Sequence, residues 1–495
     1  MKRFALFTFL LLFSYSLIFA GNKPNIIIIY ADDLGYGDVG AYGSVAIKTP
    51  NIDKLADGGV RFTRGYASSS TCTPSRYALL TGSYPWRNKR AHILPGSAPL
   101  IIDTAAATIP KMLKEQGYRT GIVGKWHLGL GNGKLNWNEH ISPGPNETGF
   151  DYSFIMAATQ DRVPTVYIEN GYIVNLNPDN PIKVSYQHQF PEEITGREHP
   201  ELLKMMYDFG HDGTIVNGIS RIGHQKGGEE AWWVDENMAD IFLEKVRTFI
   251  KTNKGQPFFL YYALQQPHVP RTPNPRFVGA TELGPRGDAI VEEDWCVGEL
   301  IKTLESEGLL ENTFIIFSSD NGPVLNDGYK DEAAEKNDGH KPWGSFRGGK
   351  YSLYEAGTRL PFITYWKGKI SPDTCDAMIS QIDILNSLAS LTGSKIRTND
   401  GEDLIKTFLG KSKKGRESMV TEATGRTAYR KGYWVMIPPH KGPAIAIAEN
   451  IELGNSKEYQ LFNLKNDPAQ QHNLARTYPD KLKELITEYE HTVKP

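Results

Sequence analysis

The stretch NIIIIYADD, residues 25–33, carries four consecutive isoleucines that stop abruptly at two aspartates. A strand with one face in water alternates apolar and polar residues, whereas a strand buried on both faces reads as a continuous apolar run. Residues 25–30 therefore predict an interior strand of a mostly parallel sheet. The same design recurs three times: Gly121–Gly124 runs into Lys125-Trp126-His127, Pro257–Ala263 into Gln265-Gln266-Pro267-His268, and Thr313–Phe317 into Asp320-Asn321-Gly322. Between the runs lie segments of helical period. Met238, Ile241, Phe242, Val246 and Phe249 share one face of a helix over roughly residues 235–251, and Ile290, Trp295, Leu300, Ile301 and Leu304 mark the next. Alternating strands and helices predict an α/β domain. In such sheets ligands bind beyond the carboxyl ends of the strands, which is where each run turns polar. Acids, lysine and histidines are thus expected at one edge.

The N-terminus, MKRFALFTFLLLFSYSLIFA, places Lys2 and Arg3 before an apolar run that ends at small residues. This is the pattern of a secretory signal peptide, residues 1–20. The run is short for a membrane anchor, and no later segment matches it. The mature protein is expected to be exported, periplasmic or secreted, with no membrane span once the signal is removed. Residues 21–410 read as one large catalytic domain, within which residues 130–230 are rich in Gly, Pro and Asn and suit long insertions shaping a pocket. Residues 411–495 change pattern, to short strands such as 428–437 and 459–463 and an amphipathic helix from Pro479 to about Val493. They are expected to form a smaller C-terminal α+β domain.

A formal net charge of −2 argues against nucleic acid as a partner, which would require a basic face. Only three cysteines occur, at 72, 296 and 375, so no disulfide framework holds the chain together. Cys296 shares a helix with Trp295, and a bond from it to Cys375 is neither demanded nor ruled out by the sequence. Cys72 lies in Thr71-Cys-Thr-Pro-Ser-Arg76. Read alone, it suits a thiol nucleophile or an unpaired disulfide partner.

Asp32, Asp33, Asp320 and Asn321 offer only oxygen, and histidine pairs at zinc spacing are absent. That donor set suits a hard cation such as calcium or magnesium. An Asp-Asp pair alone is more often a capped turn, but two strand ends bearing the same chemistry strengthen the metal reading. Lys125, His127, His268, Lys350 and Arg76 add cations and proton donors. Together such groups can bind a tetrahedral oxyanion ester and neutralise its developing charge.

With these residues in place, the chain resembles the type I sulfatases of the alkaline-phosphatase-like superfamily. Cys72-Thr-Pro-Ser-Arg76, continued by Tyr77-Ala-Leu-Leu-Thr-Gly82, is similar to the family signature. PNIIIIYADDLGYGD, TPNIDKLADGGVRFTRGYA, TGIVGKWHLG, QPHVP, FSSDNGP, FRGGKYSLYEAGTRLPF and LFNLKNDPAQQHNLA resemble further family segments in the family's order. The resemblance implies an alkaline-phosphatase-like mixed, mostly parallel sheet sandwiched by helices. It also implies that Cys72 is oxidised to formylglycine by a formylglycine-generating or sulfatase-maturating enzyme. One hydroxyl of the hydrated aldehyde, polarised by calcium and assisted by Asp320 as base, attacks sulfur; loss of the proton from the other then releases sulfate. Pro74 suits a first helical turn, which would place residue 72 at a helix N-terminus favourable to an anion.

The resemblance further implies roles residue by residue. Asp32, Asp33, Asp320 and Asn321 match calcium ligands, with the modified Cys72 completing the set. Arg76 and Lys125 match groups holding nucleophile and sulfate, and His127 matches a neighbour of the diol. His268 matches the proton donor to the leaving oxygen, and Lys350 a further sulfate contact. Three aspartates and a sulfate monoester face calcium, Arg76, Lys125 and Lys350, which brings the site near charge balance. The segment Thr159-Gln-Asp161-Arg162 resembles one found in carbohydrate sulfatases acting on galacto-configured sugars. Asp161 and Arg162 could grip an axial hydroxyl, with His224 joining them, or could form a salt bridge internal to the loop. The expected substrate is a sulfated glycan carrying a 6-O-sulfate on galactose or N-acetylgalactosamine. The alternatives are an arylsulfatase or a sulfatase of another sugar position, a phosphonate or phosphate monoester hydrolase, and a non-catalytic glycan-binding protein.

Overall fold

In the computed structural model, which describes residues 23–494, the four apolar runs lie side by side in one ten-stranded sheet. The expected signal peptide lies outside the described residues. Asn25–Ala31 is central and pairs in parallel with Thr313–Ser319 on one side and Phe258–Ala263 on the other. Arg119–Lys125 follows Phe258–Ala263 in the same direction. Every residue of Asn25–Ala31 is buried, and the alternation of side chains sorts its isoleucines between two layers. Ile26 and Ile28 pack with Leu79, Met112 and Leu388 from helices Cys72–Thr81, Ile109–Glu115 and Ile384–Thr392. Ile27 and Ile29 pack on the other face with Leu55, Phe242, Val246, Val297 and Leu300 from helices Pro50–Asp57, Met238–Asn253 and Gly284–Ser306. Each such isoleucine contributes about 1.5–3 kcal/mol by burial, which is why an unbroken run marks this position. The mostly parallel sheet sandwiched by helices is the architecture expected.

A fifth parallel strand, Tyr152–Met156, continues the sheet beyond Arg119–Lys125. It falls within the stretch that the sequence presents as insertion, because a five-residue strand among glycines and prolines carries too little pattern to stand out. Its carboxyl end leads directly to Asp161 and Arg162. Toward the other edge the sheet turns mixed, with Phe362–Tyr365 antiparallel to both its neighbours, Thr313–Ser319 and Val60–Phe62, and Asp373–Cys375 parallel to Val60–Phe62.

The smaller C-terminal domain holds a four-stranded antiparallel sheet formed by Ser418–Ala423, Arg426–Lys431, Trp434–Ile437 and Gln460–Asn463. Helix Pro479–Val493 packs on it through Leu485 against Tyr429, Met436 and Leu461. The expected single strand 428–437 is two strands here, reversed at Gly432, whose φ of 59° an L residue adopts only with strain. The three cysteines are all free, and Cys296 and Cys375 pack as core residues on separate faces of the main sheet.

Candidate active site

The carboxyl ends of the parallel strands bring the site together. Asp32 and Asp33 follow Ala31 directly, and Asp320 and Asn321 follow Ser319 on the adjacent strand. The register is locked by backbone bonds, with Asp320 N donating to Ala31 O (3.2 Å) and Asp32 N to Gln266 O (2.9 Å). Asp33 N donates to Asp320 Oδ1 at 3.2 Å. Helix Cys72–Thr81 points its N-terminus at these acids, and no side chain caps its first turn. The amides at that end are thus free for an anion.

Three cations interleave with the acids, all nearly inaccessible to solvent. Arg76 binds Asp320 Oδ2 through Nε (2.9 Å) and Nη2 (2.8 Å). Its ring partners are Tyr261, whose hydroxyl accepts from Nη1 at 3.3 Å, and Tyr30, 5.3 Å from ring centre to guanidinium. Lys125 Nζ reaches Asp32 Oδ2 at 2.6 Å and Asp320 Oδ2 at 3.8 Å. Lys350 Nζ bridges Asp33 Oδ2 (2.8 Å) and Asp327 Oδ2 (2.7 Å). Asp327 sits in a glycine-flanked loop with no motif around it and was not anticipated from the sequence. It supplies a fourth carboxylate, so the acids exceed the three cations by one negative charge. A dication and a sulfate monoester together add one positive charge and bring the site to neutrality.

Burial pushes the Asp32 carboxyl well up despite Lys125, whereas for Asp33 the lysines 350 and 125 outweigh burial and hold it down. Asp32 Oδ1 and Asn321 Oδ1 are buried and accept no hydrogen bond among the described residues. Such orphaned acceptors are costly unless something electropositive meets them. Carboxylate oxygens of Asp32 and Asp33 and a ring nitrogen of His268 converge within 4.8 Å of one another. Dominated by oxygen, this donor set fits a hard divalent cation.

Both histidines present one free ring nitrogen. His127 Nε2 lies 2.9 Å from Leu94 O, leaving Nδ1 buried and unpaired. His268 Nδ1 lies 2.7 Å from Val269 O, with Nε2 3.8 Å from Asp33 Oδ2. Burial pushes both rings well below the ordinary imidazole range, followed by Lys125 and Arg162 at His127 and by Lys350 and Lys125 at His268. Cys72 is 2 % exposed, and burial raises its thiol pKa. An unmodified thiolate nucleophile is therefore disfavoured.

The segment before Cys72 is gripped from the C-terminal domain. Ser70 N donates to Glu422 O and Glu422 N to Ser68 O, both at 2.9 Å. Ser69 Oγ donates to Glu422 Oε2 at 2.5 Å and accepts from Thr71 N at 3.2 Å.

Asp161 and Arg162 stand at the rim. Arg162 Nη1 donates to both oxygens of Asp161 (3.0 and 3.1 Å), and Asp161 Oδ2 also meets His211 Nε2 at 3.0 Å. Arg162 and His211 outweigh burial and hold the Asp161 carboxyl well below its usual range. His224 does not join this group. It lies on strand His224–Lys226, paired with Lys183–Ser185, and its Nδ1 lies 2.9 Å from Glu193 Oε1. His211, in an irregular stretch, takes the place beside Asp161, and its ring lies 4.5 Å from that of Tyr329.

A sequence model of the family described as Sulfatase matches residues 24–394. The N-acetylgalactosamine-6-O-sulfatase of Bacteroides thetaiotaomicron is 50% identical over 469 residues, covering 94% of this chain and 92% of that protein. Human arylsulfatase A is 31% identical, covering 92% of this chain and 83% of its own. A solved Bacteroides thetaiotaomicron structure, from work on the metabolism of multiple glycosaminoglycans, superposes with a TM-score of 0.94 at 49% identity, covering 95% of this chain and 99% of that one. With the family pattern matched over most of its length and the fold shared, this chain belongs to the sulfatase family.

Proposed function

We propose that the protein removes 6-O-sulfate from N-acetylgalactosamine or galactose in a sulfated glycan, after export to the periplasm or the exterior. The observation that carries this reading is the rim group Asp161–Arg162–His211, set beside an oxyanion site of three cations and the free N-terminus of helix Cys72–Thr81. The similarity to an N-acetylgalactosamine-6-O-sulfatase supports it. Calcium, held by Asp32, Asp33, Asp320, Asn321 and residue 72, would supply positive charge to polarise the attacking oxygen and the sulfate. Formylglycine, made from Cys72 by a maturating enzyme, would supply a hydrated aldehyde hydroxyl as the nucleophile toward sulfur.

The remaining work falls to side chains of this chain. Lys125 and Lys350, held by Asp32 and Asp33, are the cations that meet the sulfate oxygens, and Arg76 holds Asp320 in place as proton acceptor. His127 accepts a hydrogen bond at Nδ1 from the residue 72 hydroxyl. A neutral His268 with its proton on Nδ1 cannot donate from Nε2. The negative charge of the bound sulfate offsets Lys350 and Lys125, raises that imidazole and allows Nε2 to protonate the leaving sugar oxygen. Asp161 offers a buried acceptor and Arg162 a donor for an axial hydroxyl, while His211, whose Nδ1 faces Phe209 O at 2.7 Å and whose Nε2 faces Asp161 at 3.0 Å, orients that carboxylate. The presence of Cys72, Arg76, Lys125, His127, His268 and Lys350 together argues against a non-catalytic glycan binder.

The test is turnover of a panel of 6-sulfated galactose, N-acetylgalactosamine and N-acetylglucosamine, an aryl sulfate and a phosphonate monoester by protein whose residue 71–76 peptide has the mass of the aldehyde. Preferred release from the galacto sugars is expected, with none after Cys72→Ser. Cleavage of glucosamine or aryl sulfates with galacto sugars untouched sinks the reading.

A further inference from the structure

Tyr351 follows Lys350 and adopts φ 71°. A β-carbon in this left-handed region costs about 1–3 kcal/mol, which glycine would avoid. Two other non-glycine residues of the site share such a backbone, Asp33 at φ 65° and His127 at φ 53°, and each presents a side chain to the reaction centre. The tyrosine is fixed on all sides. Its N donates to Ser70 O at 3.0 Å and its O accepts from Arg426 Nη2 at 2.8 Å. Its hydroxyl donates to Asp327 Oδ1 at 3.1 Å, while the other oxygen of Asp327 holds Lys350. The Lys350 ammonium lies 5.5 Å from the ring centre. Whereas Cys72, Lys125, His127 and Asp320 are sealed from solvent, Tyr351 stays partly exposed. Arg162 is also partly exposed. A costly backbone thus holds a partly exposed aromatic ring beside the Lys350–Asp327 pair of the oxyanion site.

We propose that Tyr351 determines sugar specificity, its ring serving as the platform for the C–H face of a galacto-configured sugar whose sulfate is held at residue 72. With the 4-hydroxyl axial, the hydrogens on C3, C4 and C5 form one continuous apolar patch on the opposite face of the ring, and an aromatic side chain buries such a patch with little loss of rotamer entropy. An equatorial 4-hydroxyl directs C4–H to the other face and interrupts the patch. Asp161, oriented by His211, and Arg162 read the hydroxyl while Tyr351 reads the face turned away from it. The inference rests on the functional reading above and adds the residue that enforces it.

The experiment compares matured wild type, Tyr351→Phe and Tyr351→Gly on the 6-sulfates of N-acetylgalactosamine and N-acetylglucosamine. Glycine takes φ 71° without penalty, which offsets the lost hydrogen bond to Asp327, so the Gly variant is expected to fold, with a melting temperature within a few degrees of wild type as the check. It should lose roughly 10-fold or more of the galacto-over-gluco ratio in kcat/KM, whereas the Phe variant, which keeps the ring, should stay within about threefold of wild type. An unchanged ratio in the Gly variant overturns the role of Tyr351 alone. A Phe variant that falls as far as Gly assigns the effect to the hydroxyl and Asp327 and overturns it too. Absence of wild-type turnover on N-acetylgalactosamine 6-sulfate overturns the functional reading itself.

Discussion

Glu292 sits behind the site on helix Gly284–Ser306, 3 % exposed, and its carboxyl is pushed up to about 7 by burial, against an ordinary 4.5. Its oxygens accept from Asn274 N and Gln266 Nε2, both at 2.9 Å, and Gln266 in turn presents its backbone oxygen to Asp32 N. Because the folded-state pKa is raised, the contribution of this group to stability is fully present below about pH 4.5 and is lost as pH rises through about 7. At pH 8 the fold carries a buried ionised carboxylate at a cost of about 3 kcal/mol. Glu292→Gln removes that cost. The new amide oxygen still accepts from Asn274 N, and its NH2 can donate to Gln266 Oε1, a buried atom with no donor at present, once the Gln266 amide turns over. The variant should come within about 1 kcal/mol of wild type near pH 5 and exceed it by about 3 kcal/mol at pH 8, a rise of a few degrees in melting temperature. Thermal and denaturant unfolding at pH 5, 6, 7 and 8 measure this. A difference between the two proteins that stays flat across that range would refute the assignment of a buried, proton-holding carboxyl.

Two further outcomes follow from the site. Removal of divalent metal with a chelator should abolish turnover and lower the melting temperature, and saturating calcium should restore both, worth about 2.7 kcal/mol at a hundredfold excess over Kd; full activity in chelator counts against the oxygen-ligand site. His211→Ala should weaken kcat/KM on galacto sugars roughly 10–100-fold while His224→Ala changes it little; the reverse order in steady-state assays would return His224 to the rim.

The parts of the site carried by the parallel strands were legible in sequence, because burial on both faces writes itself as an unbroken apolar run and the next residue is then at the sheet's edge. Asp32, Asp320, Lys125 and His268 were all located by that reasoning. Residues whose position depends on irregular chain were not. His211 and His224 look alike in sequence, and only the pairing of His224–Lys226 with Lys183–Ser185 turns one toward Glu193 while the other meets Asp161. Asp327 has no periodic neighbours, and its worth appears only when the charges are counted in space. Tyr351 lies in a stretch that the family resemblance includes, yet nothing in one sequence says that its backbone is left-handed. Strand Tyr152–Met156 shows the same limit at the level of the fold.

The hold of Glu422 on Ser68, Ser69 and Ser70 also sets a schedule for the growing polypeptide. Cys72 is among the first parts of the mature chain to be made, and strand Ser418–Ala423, which closes over its approach, is among the last. Under the maturation proposed for Cys72, an outside enzyme would have from the emergence of Arg76 until this strand docks, because in the folded protein the thiol is 2 % exposed. The time the protein takes to finish folding would then also be the time allowed for that proposed modification.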